Sequence, residues 1–330
     1  MSGLLHIGIL GAARIAPAAL VSPARSVPTV QVTAVAARDR ARAEQFAAKH
    51  RIGTVHAGYA ELLADPRIDA VYNPLPNGLH AEWTLAALAA GKHVLCEKPL
   101  TANADEARAV ADAAAKTGLV VMEAFHYRYH PLIARALEVI PQLGEPRHVE
   151  TSMCFPLPRF GDIRYDLGLA GGAMMDAGCY AVHALRTLGR AEPVVTAARA
   201  SLRKPGVDRL MVAEHRFPSG ATGRTTASLW SHHVLGLTAR YTGSEGSLKI
   251  FNYLVPSVFH RFTITRGGRT THERIPGELT YLHQLRAFAA AVRDGGPNLT
   301  PPADSVANME VIDAVYRAAG LDPRGAAPRP

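Results

Sequence analysis

The sequence predicts an α/β protein: an N-terminal doubly wound parallel sheet, then an α+β domain with an open, mainly antiparallel sheet. Two observations carry this. Over the first 130 residues, short apolar and β-branched runs alternate with Ala-rich helical stretches. After about residue 145 the texture changes to alternating, β-rich segments divided by turn residues.

In chain order, the first half offers strands at 4–10, 30–36, 69–73, 93–97 and 119–125. Their continuous apolar character is what a strand buried on both faces requires, which favours parallel pairing. Helices fit between them near 14–25, 40–50, 79–91 and 103–117, with Asp39 and Asn103 as N-caps and Gly91 and Gly118 as stops. The second half offers strands at 146–155, 194–203, 207–217, 221–231, 234–242 and 246–251, interrupted by a helix near 172–188. Helices at about 280–294 and 303–319 close the chain, before a Pro/Gly/Ala/Arg tail over 321–330 expected to be disordered. The predicted domains are 1–130 and 131–330.

Composition narrows the function classes. Hydrophobic residues are 48% and charged residues 19% of the chain, as in an ordinary globular protein. The N-terminal apolar run is too short to span a membrane and lacks a basic leader, so no membrane anchor or secretion is expected. The 3 cysteines match no disulfide framework or zinc spacing, so a reducing cytoplasm and no metal site are expected. Net charge is +8, but the arginines are scattered singly, so no nucleic-acid partner is expected; a basic surface suits a phosphate-bearing cofactor.

The cofactor motif lies in "IGILGAARIA". The Rossmann fingerprint G-x-G-x-x-G/A maps onto Gly11-Ala12-Ala13-Arg14-Ile15-Ala16, between a strand and a helix. Gly11 permits the tight turn, Ala16 permits close helix packing, and Ala13 replaces the glycine at the pyrophosphate. Such turns also occur as plain structural loops; the βα units that follow favour a nucleotide. At the end of the second strand no acid stands at the usual position and Arg38 follows, which favours NADP over NAD. Asp39 leaves NAD possible.

A nicotinamide enzyme acting on a carbinol needs a proton carrier beside the hydride carbon. Ligands of doubly wound sheets bind at the carboxyl ends of strands, which points to Pro74, Asn77, Glu97, Lys98 and Arg128. Asn77 suits the nicotinamide ribose, His80 is a secondary cofactor candidate, and Arg128 suits the cofactor or a substrate anion. Lys98 is the lysine found at these strand ends. It could be a snorkelling side chain, but Pro99 fixes its turn and admits a cis peptide. Further along, a helix beginning after Gly172 would place Asp176, Tyr180 and His183 on one face of an otherwise apolar stretch. That stripe is a candidate substrate site, with a positive Lys98 lowering the phenol pKa and Asp176 holding the ammonium or a substrate hydroxyl. A purely structural polar network is the alternative. The histidines of "FHYRYH" read as packing or helix-start residues.

Together, "GILGAARIA", "YNPLPNGLHAEW", "GKHVLCEKPL", "MEAFHYRYHP" and "GGAMMDAGCYAVHALR" resemble the Gfo/Idh/MocA oxidoreductases in type and order, over roughly residues 5–190. The resemblance implies a Rossmann domain, a catalytic lysine at Lys98, and a sheet domain that builds homodimers or homotetramers. The Asp-x-Gly-x-His of inositol dehydrogenases is here Asp176-Ala177-Gly178-Cys179-Tyr180. A tyrosine there is similar to the aldose-oxidising and dihydrodiol dehydrogenase branch, where it is the presumed acid/base. The expected activity is hydride transfer between NADP(H) and a carbinol of a sugar or cyclic polyol. Dihydrodiol oxidation or carbonyl/imine reduction is the runner-up, and a non-catalytic NADP-binding regulator the competing class.

Overall fold

The computed structural model describes residues 3–325. They form two units. The first comprises the described residues up to Thr101, Asp105–Tyr129 and Leu279–Ser305; the second comprises Ala102–Ala104, His130–Glu278 and the described residues from Val306. The division is therefore not one cut at residue 130. The helix Thr280–Asp294 returns to the first unit because its apolar stripe of Leu282, Leu285 and Phe288 packs with Ile7, Ile9, Leu20 and Tyr72.

The first unit is built on a parallel sheet of six strands: β1 (Leu5–Leu10), β2 (Val30–Ala36), β3 (Thr54–His56), β4 (Ala70–Asn73), β5 (His93–Cys96) and β6 (Val121–Glu123). Their spatial order is β3-β2-β1-β4-β5-β6. Successive side chains feed opposite faces, so Val35, Tyr72 and Leu95 enter one core, and Ala34, Ala36, Val71, Val94 and Cys96 the other. The helices Tyr59–Ala64, His80–Ala89 and Ala104–Thr117 cover the second face. Strand order reverses direction between β1 and β4, and the loops that follow those two strands flank a crevice of the kind that takes nucleotides. β3 and the helix after it were not expected from the sequence.

The second unit carries an eight-stranded sheet: β7 (Pro146–Cys154), β8 (Val194–Lys204), β9 (Val207–Arg216), β10 (Thr222–Ser228), β11 (Gly236–Gly243), β12 (Gly246–Phe251), β13 (Arg261–Arg266) and β14 (Arg269–Glu273). The order is β14-β13-β12-β11-β7-β10-β9-β8, antiparallel except for the β7–β10 pair. The helix Cys179–Gly189 lies across one face, where the Thr151 hydroxyl donates to the Ala181 carbonyl at 2.7 Å. Gly178 permits the close approach, since a Cβ there would stand 3.2 Å from Ala227 and nearer still to the Met174 sulfur. β13 and β14 form a hairpin absent from the sequence reading.

The tail differs from expectation. Residues 321–325 are described, and Arg324 is buried in an ion pair with Asp208 at 2.8 Å, which holds the segment down. The rest of that tail, 326–330, lies outside the described residues. Among the described residues no helix is long and apolar enough to cross a membrane.

Candidate functional site

In the first unit the glycine turn closes over the switch point. Gly11 has φ +97°, its N–H donates to the Ala36 carbonyl at 2.6 Å, and an added Cβ would stand 3.0 Å from Leu75. Only a residue without a side chain fits this conformation freely. Ala12 is buried, Ala13 half-buried, and Arg14 and Ile15 are exposed at the rim, while Ala16 packs into the core. A methyl at position 13 is accommodated, so the turn keeps a backbone cradle suited to a pyrophosphate.

The end of β2 fits a 2′-phosphate. Asp39 is occupied as the N-cap of the helix Arg40–His50, accepting from the Arg42 N–H at 3.1 Å. Arg38 is exposed beside it, and the Arg42 guanidinium donates to the Ala12 carbonyl at 2.9 Å. Burial raises the Tyr59 phenol pKa, opposed by the charge of Arg38, a hydrogen bond from its backbone and the charge of Arg42, so the three side chains are neighbours. Arg42 was missed from the sequence; its signal was its place one helical turn after an N-capping Asp39. Two guanidinia and a phenol at this spot form a donor set for a phosphate dianion, not for a bare ribose.

The nicotinamide end follows from β4 and β5. Pro74 is buried, and Asn77 opens the short 3₁₀ turn Asn77–Leu79. His80 departs from its expected cofactor role. Its Nδ1 lies 2.7 Å from the Pro99 carbonyl and its Nε2 2.6 Å from the Leu75 carbonyl, so both ring nitrogens are turned to the protein. Two carbonyl partners favour a protonated ring, but burial outweighs them and, with the Lys98 charge, pushes its pKa down to about 4. The ring thus ties the loop after β4 to the loop after β5.

Lys98 stands half-buried directly after β5 and Glu97, and its bond to Pro99 is cis. Glu97 is buried and accepts from the Tyr72 hydroxyl at 2.6 Å. Glu123 at the end of β6 accepts from the Leu100 N–H at 2.9 Å and from the Ser305 hydroxyl, which fixes the far side of the same turn. His126 is buried against Thr280 at 2.8 Å, and burial followed by the Lys98 charge takes its pKa down to about 3. Burial thus disfavours the charged form of both histidines, and the Lys98 charge acts in the same direction. His130 caps the helix Pro131–Val139 through the Leu132 N–H. Arg128 is half-buried in the turn His126–Tyr129.

In the second unit Asp176, Tyr180 and His183 are all buried. The expected regular helix instead opens with a wide π-turn over Met174–Gly178, and α-helical geometry runs only from Cys179. Asp176 sits inside that turn, a setting frequent at functional sites; Tyr180 and His183, three apart, share a helix face. Asp176 is held by Arg164, whose Nε lies 3.0 Å from its carboxylate, and Asp162 pairs with the same guanidinium at 3.1 Å. Arg164 comes from the 156–171 loop, so that loop is fastened to the stripe it precedes. A chain-distant partner of this kind has no sequence signal.

Comparison with known proteins supports the same reading of both units. The model of an oxidoreductase family with an NAD-binding Rossmann fold, GFO_IDH_MocA, matches residues 5–125, and the GFO/IDH/MocA C-terminal domain matches 135–249. A D-xylose 1-dehydrogenase (NADP(+)) of Haloferax volcanii is 41% identical over 96% of this chain and 97% of its own. A trans-1,2-dihydrobenzene-1,2-diol dehydrogenase of Mus musculus is 35% identical over 69% of this chain and 68% of its own. A 3-ketoreductase from Actinomadura kijaniata, solved with NADP and TDP-benzene, is 31% identical, with a TM-score of 0.88 over 96% of this chain and 98% of that one. The glycine turn, the Glu-Lys-Pro turn and the sheet topology thus coincide with matches to both family domains, and the chain belongs to the Gfo/Idh/MocA oxidoreductase family.

Proposed function

We propose that this NADP-dependent oxidoreductase moves a hydride reversibly between the nicotinamide and a carbinol of a sugar or related cyclic polyol, with Lys98 and Tyr180 as its acid–base pair. The observation that carries the reading is Lys98: a half-buried ammonium fixed at the carboxyl end of β5, directly before a cis proline, on a sheet with a nucleotide-binding switch point. The arginine pair near Tyr59 supports NADP as the cofactor, which supplies or accepts the hydride when bound. The xylose dehydrogenase relative supports an aldose as substrate.

In the oxidative direction the substrate hydroxyl loses its proton to the Tyr180 phenolate as the C–H bond breaks, and Lys98 stabilises that phenolate and the developing alkoxide. In reduction Tyr180 returns the proton to the carbonyl oxygen. Asp176, neutralised in part by Arg164, orients a neighbouring hydroxyl, and His183 lines the same site. Such a set titrates as a unit. A homodimer or homotetramer built through the second unit's sheet, and a cytoplasmic location, complete the proposal; the burial of all three cysteines, Cys96, Cys154 and Cys179, supports a reducing compartment.

The dihydrodiol dehydrogenase relative favours a second reading, oxidation of trans-dihydrodiols. A panel of aldoses and trans-dihydrodiols assayed with NADP separates the two. Lys98→Met and Tyr180→Phe should each lower kcat by about 10²-fold or more, the double variant losing much less than the product. Near-full turnover in either single variant would overturn the assignment.

A further inference from the structure

The described part of the C-terminal segment carries a charge that is almost fully enclosed. Arg324 is 2% exposed and Asp208, at the start of β9, is 0% exposed. The guanidinium donates to the Asp208 carboxylate at 2.8 Å through Nη2 and to the Gly171 carbonyl at 2.8 Å through Nε. It also stacks on the Tyr316 ring, 4.1 Å from the centroid, and the Tyr316 hydroxyl donates to the same carboxylate at 3.1 Å. The second carboxylate oxygen accepts the Met174 N–H at 2.6 Å. Met174 is the first residue of the π-turn that holds Asp176, and Asp176 itself donates its N–H to Gly172 at 3.0 Å. Gly172 has φ +140°, and a Cβ there would run into Asp208, Arg324 and Tyr316 together.

Two anchors of the start of the site helix therefore pass through one ion pair: Asp208 fastens the first N–H of the turn, and Arg324 fastens the Gly171 carbonyl three residues earlier. The other anchors come from the preceding loop, where the Arg164 carbonyl accepts the Gly172 N–H at 2.8 Å and the Arg164 side chain pairs with Asp176. Enclosing a guanidinium and a carboxylate is costly in itself, and an apolar contact of the same volume would serve stability at least as well. What the pair supplies is direction: fixed donors and acceptors that specify where Gly171–Met174 must lie. We infer that Arg324, through Asp208, is a positioning residue of the reaction, setting the Asp176–Tyr180–His183 helix in its working orientation. The C-terminal segment is thus part of the substrate site's support. This rests on the assignment of that helix to the substrate.

The test uses the full chain. Arg324→Ala should lower kcat/KM for the sugar at least tenfold and leave the Kd for NADPH, read by nucleotide fluorescence, within twofold of wild type. Hydrogen exchange of the 172–180 amides should speed up at least tenfold while β10 keeps its protection. Guanidinium chloride at millimolar concentration should restore at least fivefold of the lost kcat/KM and re-protect those amides, and Arg324→Lys should recover part of both. If Arg324→Ala fails to fold, Asp208→Asn/Arg324→Met, which leaves no buried charge unpaired, takes its place with the same expected losses. A folded variant with wild-type kinetics and wild-type exchange over 172–180 overturns the inference, as does a uniform loss of stability with unchanged kcat and KM. Should the wild type turn over no sugar, the functional reading fails by itself, and the exchange experiment still decides the role of Arg324.

Discussion

Removing the guanidinium of Arg42 should change which nicotinamide cofactor the enzyme prefers. Arg42 makes one fixed contact, to the Ala12 carbonyl at 2.9 Å, and leaves its remaining donors beside Arg38 and Tyr59. A hydrogen bond from a charged donor is worth about 1.5–3 kcal/mol. The side chain is exposed, so the lower end applies, and about 1.5 kcal/mol is roughly a tenfold change. Arg42→Ala should therefore raise the KM for NADP roughly tenfold, with a smaller effect on NAD through the freed Ala12 carbonyl. Arg38→Ala should act similarly, and the double variant should lose less than the product, because the two charges share one phosphate. The assay is kcat/KM with NADP and with NAD, on one sugar, for the four proteins. An unchanged NADP-to-NAD ratio in the double variant would refute the assignment of this corner to the 2′-phosphate.

Other expectations follow from features away from the cofactor. His80, His126 and His215 are buried with pKa values pushed down by burial to about 4, about 3 and about 4. Their folded values lie below the unfolded one, so the unfolded chain binds more protons between pH 6.5 and 4, and stability is lost as pH falls through that window. Each contributes about 1.4 kcal/mol per pH unit there, and urea midpoints unchanged between pH 7.5 and 5 would refute the claim. Gly178→Ala should destabilise by about 1–3 kcal/mol, since the new methyl meets Met174 and Ala227; thermal unfolding measures it. Gly11→Ala should raise the KM for NADP and cost about 1 kcal/mol or more, because an alanine is strained at φ +97°.

The parts of the molecule legible in the sequence are those whose cause is local. β1, β2, β4 and β5 are runs apolar enough to be buried on both faces, and Asp39 announces its helix by capping it. β3 is three residues long, too short for a period to register. β13 and β14 carry mostly exposed or half-exposed polar side chains, and their one cue is the Gly267-Gly268 turn between Thr-bearing segments. Lys98 was findable because a strand end and a proline fix it from either side. The pairing of Arg164 with Asp176 and the His80 clamp were not, because each depends on where a side chain lands after folding. Residues 321–325 differ from the expectation for the same reason. Their composition favours disorder, yet one arginine meeting one enclosed carboxylate outweighs that tendency.

The return of the helix Thr280–Asp294 to the first unit also bears on how the chain is made. A ribosome finishes β6 long before it reaches Leu282 and Phe288, with the whole eight-stranded sheet in between. At about 5–20 residues per second, the nascent nucleotide-binding sheet waits roughly 8–30 s with one apolar face only partly covered, by the segment around Ala19, Leu20 and Ala24. Chaperone engagement during synthesis should therefore concentrate in that interval, and a circular permutant that opens with Leu279–Ser305 should shorten it.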